Sequence, residues 1–393
     1  MNILYLDYAA TTPVDPKVAK EMTDCLTLDG CFGNPASNTH FYGWQANEKV
    51  NDARAKIAEL IHADSREIIW TSGATESNNL AIKGVTNAYL ARGKNIIITS
   101  EIEHKAVLDP CKYLEKKGFD VIYLKPNKEG IITLDQVKEI VKSREEKIAL
   151  VSLMYVNNEL GSINPISEIG KFLRSQKILF HVDAAQAGAR LKIDVKSQNI
   201  DLLSLSGHKL YGPKGIGILY IRRKPKVLLE ALIHGGGHER GFRSGTLATH
   251  QIVGMGKSAD LIIQKRDKES QKLKELSEKL WAGIAHLPKV RINADGKNRI
   301  PSILNICFSG VDGEALMMSL NKIAVSAGSA CTSATIEPSY VLQSLGLSPE
   351  DAHSSLRVSL GRFTTESDID FAIKVIVENV TKLRQISPFW KGE

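Results

Sequence analysis

Cysteine is scarce in this 393-residue chain, and its five positions form no pairing pattern. Cys25, Cys31, Cys111, Cys307 and Cys331 are odd in number and none are spaced C-x-x-C. That argues against a disulfide framework or a zinc knuckle and fits a reducing compartment. No uncharged apolar run reaches membrane-spanning length. The opening MNILYLDYAATTP lacks a basic region followed by an apolar one, so no secretory signal is read and a cytoplasmic protein with no membrane partner is expected. Nucleotide-binding glycine patterns are missing as well: there is no G-x-x-x-x-G-K-[ST] and no strand-linked G-x-G-x-x-G. Basic residues exceed acidic ones by 51 to 44, a net charge of +7. The excess is too diffuse for a nucleic-acid stripe with interleaved aromatics, so no direct nucleic-acid contact is expected. The one compact run, Arg222-Arg223-Lys224-Pro225-Lys226, reads as a solvated turn at a strand end, with docking of an acidic partner protein as the alternative.

What is present is an ordinary globular composition, 43% hydrophobic and 24% charged, in a chain long enough for one large and one smaller domain. Short β-branched runs alternate with helical stretches between about residues 68 and 222. The strand candidates are REIIWTS (66–72), KNIIITS (94–100), DVIYL (120–124), IALVSLMY (148–155), KILFHVD (177–183), DLLSLS (201–206) and IGILYIRR (216–223). Residues 75–90, 104–118 and 134–143 carry apolar side chains at helical spacing. Strands alternating with helices predict βαβ units, so the expected class is α/β with a seven-stranded, mainly parallel sheet covered on both faces. After residue 255 a long charge-rich helix (257–281) and strands near 302–308, 323–326 and 355–360 read as a smaller α+β domain. The expected division is 15–255 for the large domain, with 1–14 and 256–393 forming the small one.

Several polar residues fall where the predicted strands end, which is where open α/β sheets bind ligands. In TSGATESNN (71–79) a strand, a glycine turn and a helix start make an anion site from backbone N–H groups and the Thr75 hydroxyl; capping by Ser72 or Thr75 is the plainer reading. Asp183 of HVDAAQ ends a strand. It caps the next helix, or it faces a pyridine nitrogen and keeps that nitrogen protonated. Such a pair is worth about 4 kcal/mol at 4 Å with an effective dielectric near 20. Lys209 of SLSGHKLYGPKG follows a strand; a lysine in a partly dry cleft can lose its proton and form a Schiff base with an aldehyde. Ser206 and His208 flank it as hydrogen-bond donors for a phosphate. His104 of SEIEHKAV either caps a helix or stacks on a flat ring. His234 and His238 in HGGGHERGFRSGT have helix-like metal spacing, but the glycines between them forbid the helix and no third ligand is evident; a loop offering Arg, Ser and Thr to anions fits better. Arg357 in SSLRVSLGRF reads as a strand arginine in a salt bridge or as a bidentate clamp on a carboxylate.

Taken together, Asp183, Lys209, Thr75 and His104 resemble the pyridoxal-phosphate site of fold type I (aspartate-aminotransferase-like) enzymes. YLDYAATTP, FGNPAS, TSGATESNN, EHKAVLD, VNNELG, HVDAAQ, SGHKLYGPKG, GGGHERGFRSGT, SAGSACTSA and EPSYVLQSLG more narrowly resemble cysteine desulfurases of the housekeeping IscS type, over about residues 4 to 390. That resemblance implies pyridoxal 5'-phosphate held covalently by Lys209, with Asp183 on the ring nitrogen. It implies Gln186 and Asn158 near the ring's phenolic oxygen and His104 stacked on the ring. The phosphate would be bound by Ala74, Thr75, Ser206 and His208, and by Thr246 from the second subunit of a homodimer. Arg357 would clamp the carboxylate of substrate L-cysteine.

The resemblance also gives Cys331 a role. SAGSACTSA surrounds it with small residues only, where a buried thiol would have Leu, Ile, Val or Phe as neighbours. In the family this thiol is the nucleophile: it takes the substrate's sulfur as a persulfide, leaves alanine, and passes the sulfur to acceptors for iron–sulfur cluster assembly and tRNA thiolation. An IscU-type scaffold is the expected partner, with Cys331 as a possible [2Fe–2S] ligand shared with it. The segment 326–338 resembles the extended-loop group. Another fold type I aminotransferase or lyase, with Cys331 incidental, is the alternative. Cys307 and Cys111 read as buried strand and helix residues, and Cys25 and Cys31 carry no functional reading. Members of this type run on past a PLW-like segment in an extension that helps dock the scaffold; here the sequence stops at PFWKGE, which implies a shortened chain or weaker docking. Asn78 and Leu160, where relatives often carry Asp and Ile, are expected to be harmless.

Overall fold

The structure is a computed structural model that describes residues 3–327, 338–387 and 390. Its strands are β1 (Leu4–Tyr5), β2 (Ile68–Thr71), β3 (Ile96–Ser100), β4 (Asp120–Leu124), β5 (Ile148–Met154), β6 (Phe180–Asp183), β7 (Leu202–Ser206), β8 (Gly217–Ile221), β9 (Val290–Ile292), β10 (Ile303–Phe308), β11 (Ile323–Ala324) and β12 (Ser355–Ser359). Seven of them form one sheet in the order β2-β8-β7-β6-β5-β3-β4. Only β8 runs against its neighbours. All seven candidate runs became strands of this sheet, each trimmed by a residue or more at one end or both except DVIYL.

The apolar runs explain the layering. Alternate residues of a strand face opposite sides, so Ile96 and Ile98 join one buried cluster while Ile97 joins another. Ile68 and Trp70 part from Ile69 in the same way, and Leu203 and Leu205 part from Leu202. A sheet buried on both faces needs helices on both. The helices are α1 (Pro16–Thr23), α2 (Phe41–Leu60), α3 (Ala74–Leu90), α4 (Lys105–Glu115), α5 (Leu134–Lys142), α6 (Ile166–Ser175) and α7 (Thr249–Ile284), followed by shorter helices and a last one over Glu366–Ile386. Ile57 of α2, Ile169 of α6 and Ile252 of α7 pack on one face; Leu80 of α3 and Val107 of α4 pack on the other.

A second core lies on the antiparallel sheet β12-β10-β9, where Leu304, Ile306, Phe308, Leu356 and Val358 meet the helix Glu366–Ile386. Helix α7 serves both cores, with Ile252, Met255 and Ile262 in the first and Leu273, Leu276 and Leu280 in the second. It begins eight residues before the expected 257, so the expected boundary at residue 255 falls inside a continuous helix. The N-terminus joins the second core: β1 pairs with β11, Leu6 is buried there, and Asp7 bridges to Ser359. Arg222 departs from the solvated-turn reading. It is drawn inward onto the carbonyls of Val195 and Ile200 and pairs with Asp201 at 3.2 Å, while Arg223, Lys224 and Lys226 stay exposed.

A buried ion pair ties α2 to the loop before α7. Glu239 accepts from both terminal nitrogens of Arg54, at 2.7 and 2.8 Å, and from the Trp70 amide at 2.8 Å. Both side chains are buried, so removing one strands the other's charge away from water. Arg54→Ala is expected to lower stability by about 3–5 kcal/mol, read as a lower urea midpoint with an unchanged slope.

Candidate active site

The carboxyl edge of the sheet gathers most of the expected residues. Strand β2 ends at Thr71, and the chain turns through Gly73 into α3. Gly73 has φ +154°, and no side chain caps the helix. Neither Ser72 nor Thr75 makes the expected capping bond; Ser72 instead donates its amide to Glu76 at 2.8 Å. Among the described residues the amides of Ala74 and Thr75 have no hydrogen-bond acceptor, leaving a positive helix terminus at the edge. The turn is pressed against β8. A Cβ on Gly217 would stand 2.6 Å from the Gly73 Cα and 2.6 Å from the Leu205 carbonyl oxygen. Ser206, at the end of β7, is buried and close to Gly73.

Asp183 ends β6 with 6% of its surface exposed. Its oxygens accept from Asn78 Nδ2 at 2.7 Å and from the Ala185 amide at 3.0 Å. Asn78 is therefore more than a harmless substitution site: its amide holds the key carboxylate. Of the two readings, the structure shows the capping of His104. Its Nδ1 accepts from the Ala106 amide at 3.0 Å and caps α4, while the ring feels the charges of Asp183 and Lys209. Burial lowers its pKa, favouring the neutral imidazole. Burial, with Lys209 and Lys214 nearby, brings His208 down to about 4, so it too is neutral at pH 7.

One element lining this edge was not singled out by the sequence reading. Residues 7–12 cross the site and bond to it repeatedly. The Ala9 carbonyl accepts from Gln186 Nε2 at 2.8 Å and from the Lys209 ammonium. Thr11 Oγ1 meets His208 Nδ1 at 3.1 Å, and Thr12 bonds to the His208 carbonyl through both its amide and its hydroxyl. The Asp7 carboxylate reaches Arg357 at 2.8 Å. The motif YLDYAATTP carried this signal, but nothing in its spacing said what it touches.

Arg357, in the middle of β12, is buried. Its Nη2 donates to Asp7 Oδ1 and its Nη1 to the Asn158 carbonyl at 3.0 Å, while Nε has no partner among the described residues. The salt-bridge reading holds, with the difference that the arginine is interior and not on the surface. Asn158 thus meets the site through its backbone. Ser326 bridges to Arg357, and Ser339 donates to Glu159 Oε2 at 2.6 Å. Cys331 lies between these two anchors, outside the described residues. Thr246 is exposed on its own chain and touches none of the others through a hydrogen bond.

Two buried acids were also missed. Glu103, immediately before His104, accepts from the Met154 amide through Oε1 and leaves Oε2 without a partner. Burial raises its pKa well above 4.5. Glu159 is raised to about 7, by burial first, against the pull of Ser339 and Arg357.

These residues fit one kind of cofactor. A buried carboxylate at a strand end suits a protonated ring nitrogen, an uncapped helix terminus suits a phosphate, and Lys209 supplies the amine for an aldehyde. The sequence matches the model of the class-V aminotransferases over residues 4–371, and the chain belongs to that family. Within it, the chain belongs to the IscS-type cysteine desulfurases. It is 58% identical over 388 residues to cysteine desulfurase IscS of Shewanella baltica, covering 99% of this chain and 95% of that one. The IscS of Shewanella pealeana is 57% identical over the same coverage. Among solved structures, a NifS-like protein overlays with a TM-score of 0.89 at 34% identity, over 97% of this chain and 100% of the other. SspA in complex with cysteine overlays with a TM-score of 0.81 at 40% identity, over 92% and 100%. The enzyme is pyridoxal-phosphate dependent.

Two outcomes test this geometry. Gly217→Ala forces the Gly73 turn outward, and overpacking of that kind costs about 1–3 kcal/mol, which is about fivefold to 150-fold if it falls on cofactor affinity. Fluorescence titration of the apoprotein with pyridoxal phosphate measures it. For Glu159 the folded value lies above the ordinary 4.5, so its stabilising protonation is complete below pH 4.5 and is lost as pH rises through about 7. Across that window wild type is expected to lose about 2–3 kcal/mol relative to Glu159→Gln, which keeps the Ser339 contact and carries no charge. Paired urea curves at pH 4.5 and 8 read the difference.

Proposed function

We propose that this chain takes sulfur from L-cysteine, releases L-alanine, and carries the sulfur as a persulfide on Cys331. The observation that carries the reading is the meeting of Lys209, Asp183, His104 and the uncapped α3 terminus at one sheet edge. Lys209 would hold the cofactor, Asp183 its ring nitrogen, and the Ala74 and Thr75 amides, Ser206 and His208 its phosphate. His104 stacks on the ring, with Gln186 and Asn158 near its phenolic oxygen. When bound, the cofactor supplies an electron sink for the pair left as the substrate α-carbon loses its proton.

The chain's own residues do the rest. Asn78 and the Ala185 amide keep Asp183 aimed at the sink. Arg357 binds the substrate carboxylate and orients the α-carbon. The Lys209 amine moves the proton. The Cys331 thiolate forms a bond to the substrate sulfur while the carbon–sulfur bond breaks toward carbon.

The working unit we assign is a homodimer, in which Thr246 of one copy completes the phosphate site of the other. Leu26, Leu28, Phe32, Phe41, Tyr42 and Trp44 stand exposed within one stretch of chain, an apolar area suited to burial against a second copy. The acceptors we assign are an IscU-type iron–sulfur scaffold, with Cys331 available as a [2Fe–2S] ligand, and proteins of tRNA thiolation. The four described cysteines are free thiols, which suits the cytoplasm. No described helix is long and apolar enough to cross a membrane.

After L-cysteine is added to the holoenzyme, mass spectrometry is expected to find one extra sulfur on the peptide containing Cys331. Cys331→Ala should keep the cofactor's yellow absorbance and lose sulfide release; retained persulfide transfer would return the chain to the other fold type I aminotransferases or lyases. Lys209→Ala should lose covalent cofactor attachment.

A further inference from the structure

Arg357 is occupied before any substrate arrives. Its Nη2 bonds Asp7 Oδ1 at 2.8 Å and its Nη1 bonds the Asn158 carbonyl at 3.0 Å. Asp7 is its only salt-bridge partner among the described residues. An incoming carboxylate that engages both terminal nitrogens therefore meets one already sitting there. Two carboxylates on one guanidinium repel, so the second binds well only as the first yields.

The setting of Asp7 suits yielding. Its backbone is fixed: it bridges to Ser359, and its carbonyl accepts from the Tyr5 hydroxyl at 2.9 Å. Its carboxylate is less confined. That side chain is 19% exposed against 6% for Arg357, so it has water on one side to turn into without moving the strand. Arg357 cannot leave in the same way, because its backbone is bridged to Ser326 and paired with Asn305.

We propose that Asp7 is a resident carboxylate that competes with substrate and product for Arg357, and so sets how tightly the α-carboxylate is held. It is a positioning residue: it keeps Arg357 aligned and neutralised when the site is empty and speeds the departure of the product carboxylate. The inference rests on the reading of Arg357 as the carboxylate clamp. Its sign separates it from a structural role, because an acid that only props the arginine strengthens substrate binding, whereas a competing acid weakens it.

The test uses the holoenzyme. Asp7→Asn keeps the shape and removes the charge; KM for L-cysteine and the inhibition constant of L-alanine are both expected to fall about tenfold. Asp7→Glu, which restores the charge, is expected to return both toward wild type. A rise or no change in both constants for Asp7→Asn overturns the proposal. Arg357→Gln isolates the underlying reading: KM for L-cysteine is expected to rise many-fold while turnover of cysteamine, which has no carboxylate, keeps its KM. An unchanged KM for L-cysteine in that variant sinks the clamp itself. A wild-type crystal soaked with L-alanine needs no variant to fold. The ligand carboxylate on Arg357 with Asp7 turned away supports the exchange, and a ligand seated beside an unmoved Asp7 refutes it.

Discussion

A carboxylate buried at a strand tip is the constraint around which this site is arranged. Asp183 ends β6 and is held by two hydrogen-bond donors, Asn78 Nδ2 and the Ala185 amide. A polar group buried this deeply is costly unless it is held in this way. Burial favours the neutral form of His104 and the protonated form of Glu103, and Lys209 is directed to the Ala9 carbonyl. On the proposed reading a cationic ring would face Asp183, and the uncapped start of α3 at the same edge would give that ring's phosphate a seat.

The fold supplies this edge cheaply. Parallel strands send every carboxyl end the same way, so residues far apart in sequence arrive together without special loops. Antiparallel β8 contributes through absence of bulk: Gly217 lets the Gly73 turn close down beside Ser206. The second core brings Arg357 in on a rigid strand, and the N-terminal segment stitches the two parts across the gap.

The sheet was legible in the sequence because its signal is local. Each strand is a short run rich in apolar residues, such as IIIT or LLSLS, and the polar residues that matter follow such runs directly. Lys209, Asp183, His104, Ser206 and the Ala74–Thr75 turn could be marked for that reason. The roles of the residues came from resemblance, since a strand-end aspartate looks the same whether it caps a helix or holds a ring. What stayed hidden is non-local. Asp7 meets Arg357 across 350 residues, Ser339 meets Glu159 across 180, and the protonation of Glu103 depends on burial that no spacing reveals. Asn78 looked neutral for the same reason, its partner being 105 residues away.

The crossing of the N-terminal strand has a consequence for how the molecule is made. Leu4 and Tyr5 pair with Ile323 and Ala324, and Asp7 bridges to Ser359. Residues 4–7 must therefore wait for residues 323–359 to be made before their partners exist. The large sheet can assemble while synthesis continues, since its strands all fall between residues 68 and 221, but contacts this distant close late. A nascent enzyme stopped short of β12 would have its lysine and its phosphate turn in place, yet nothing to grip an amino acid by its carboxylate.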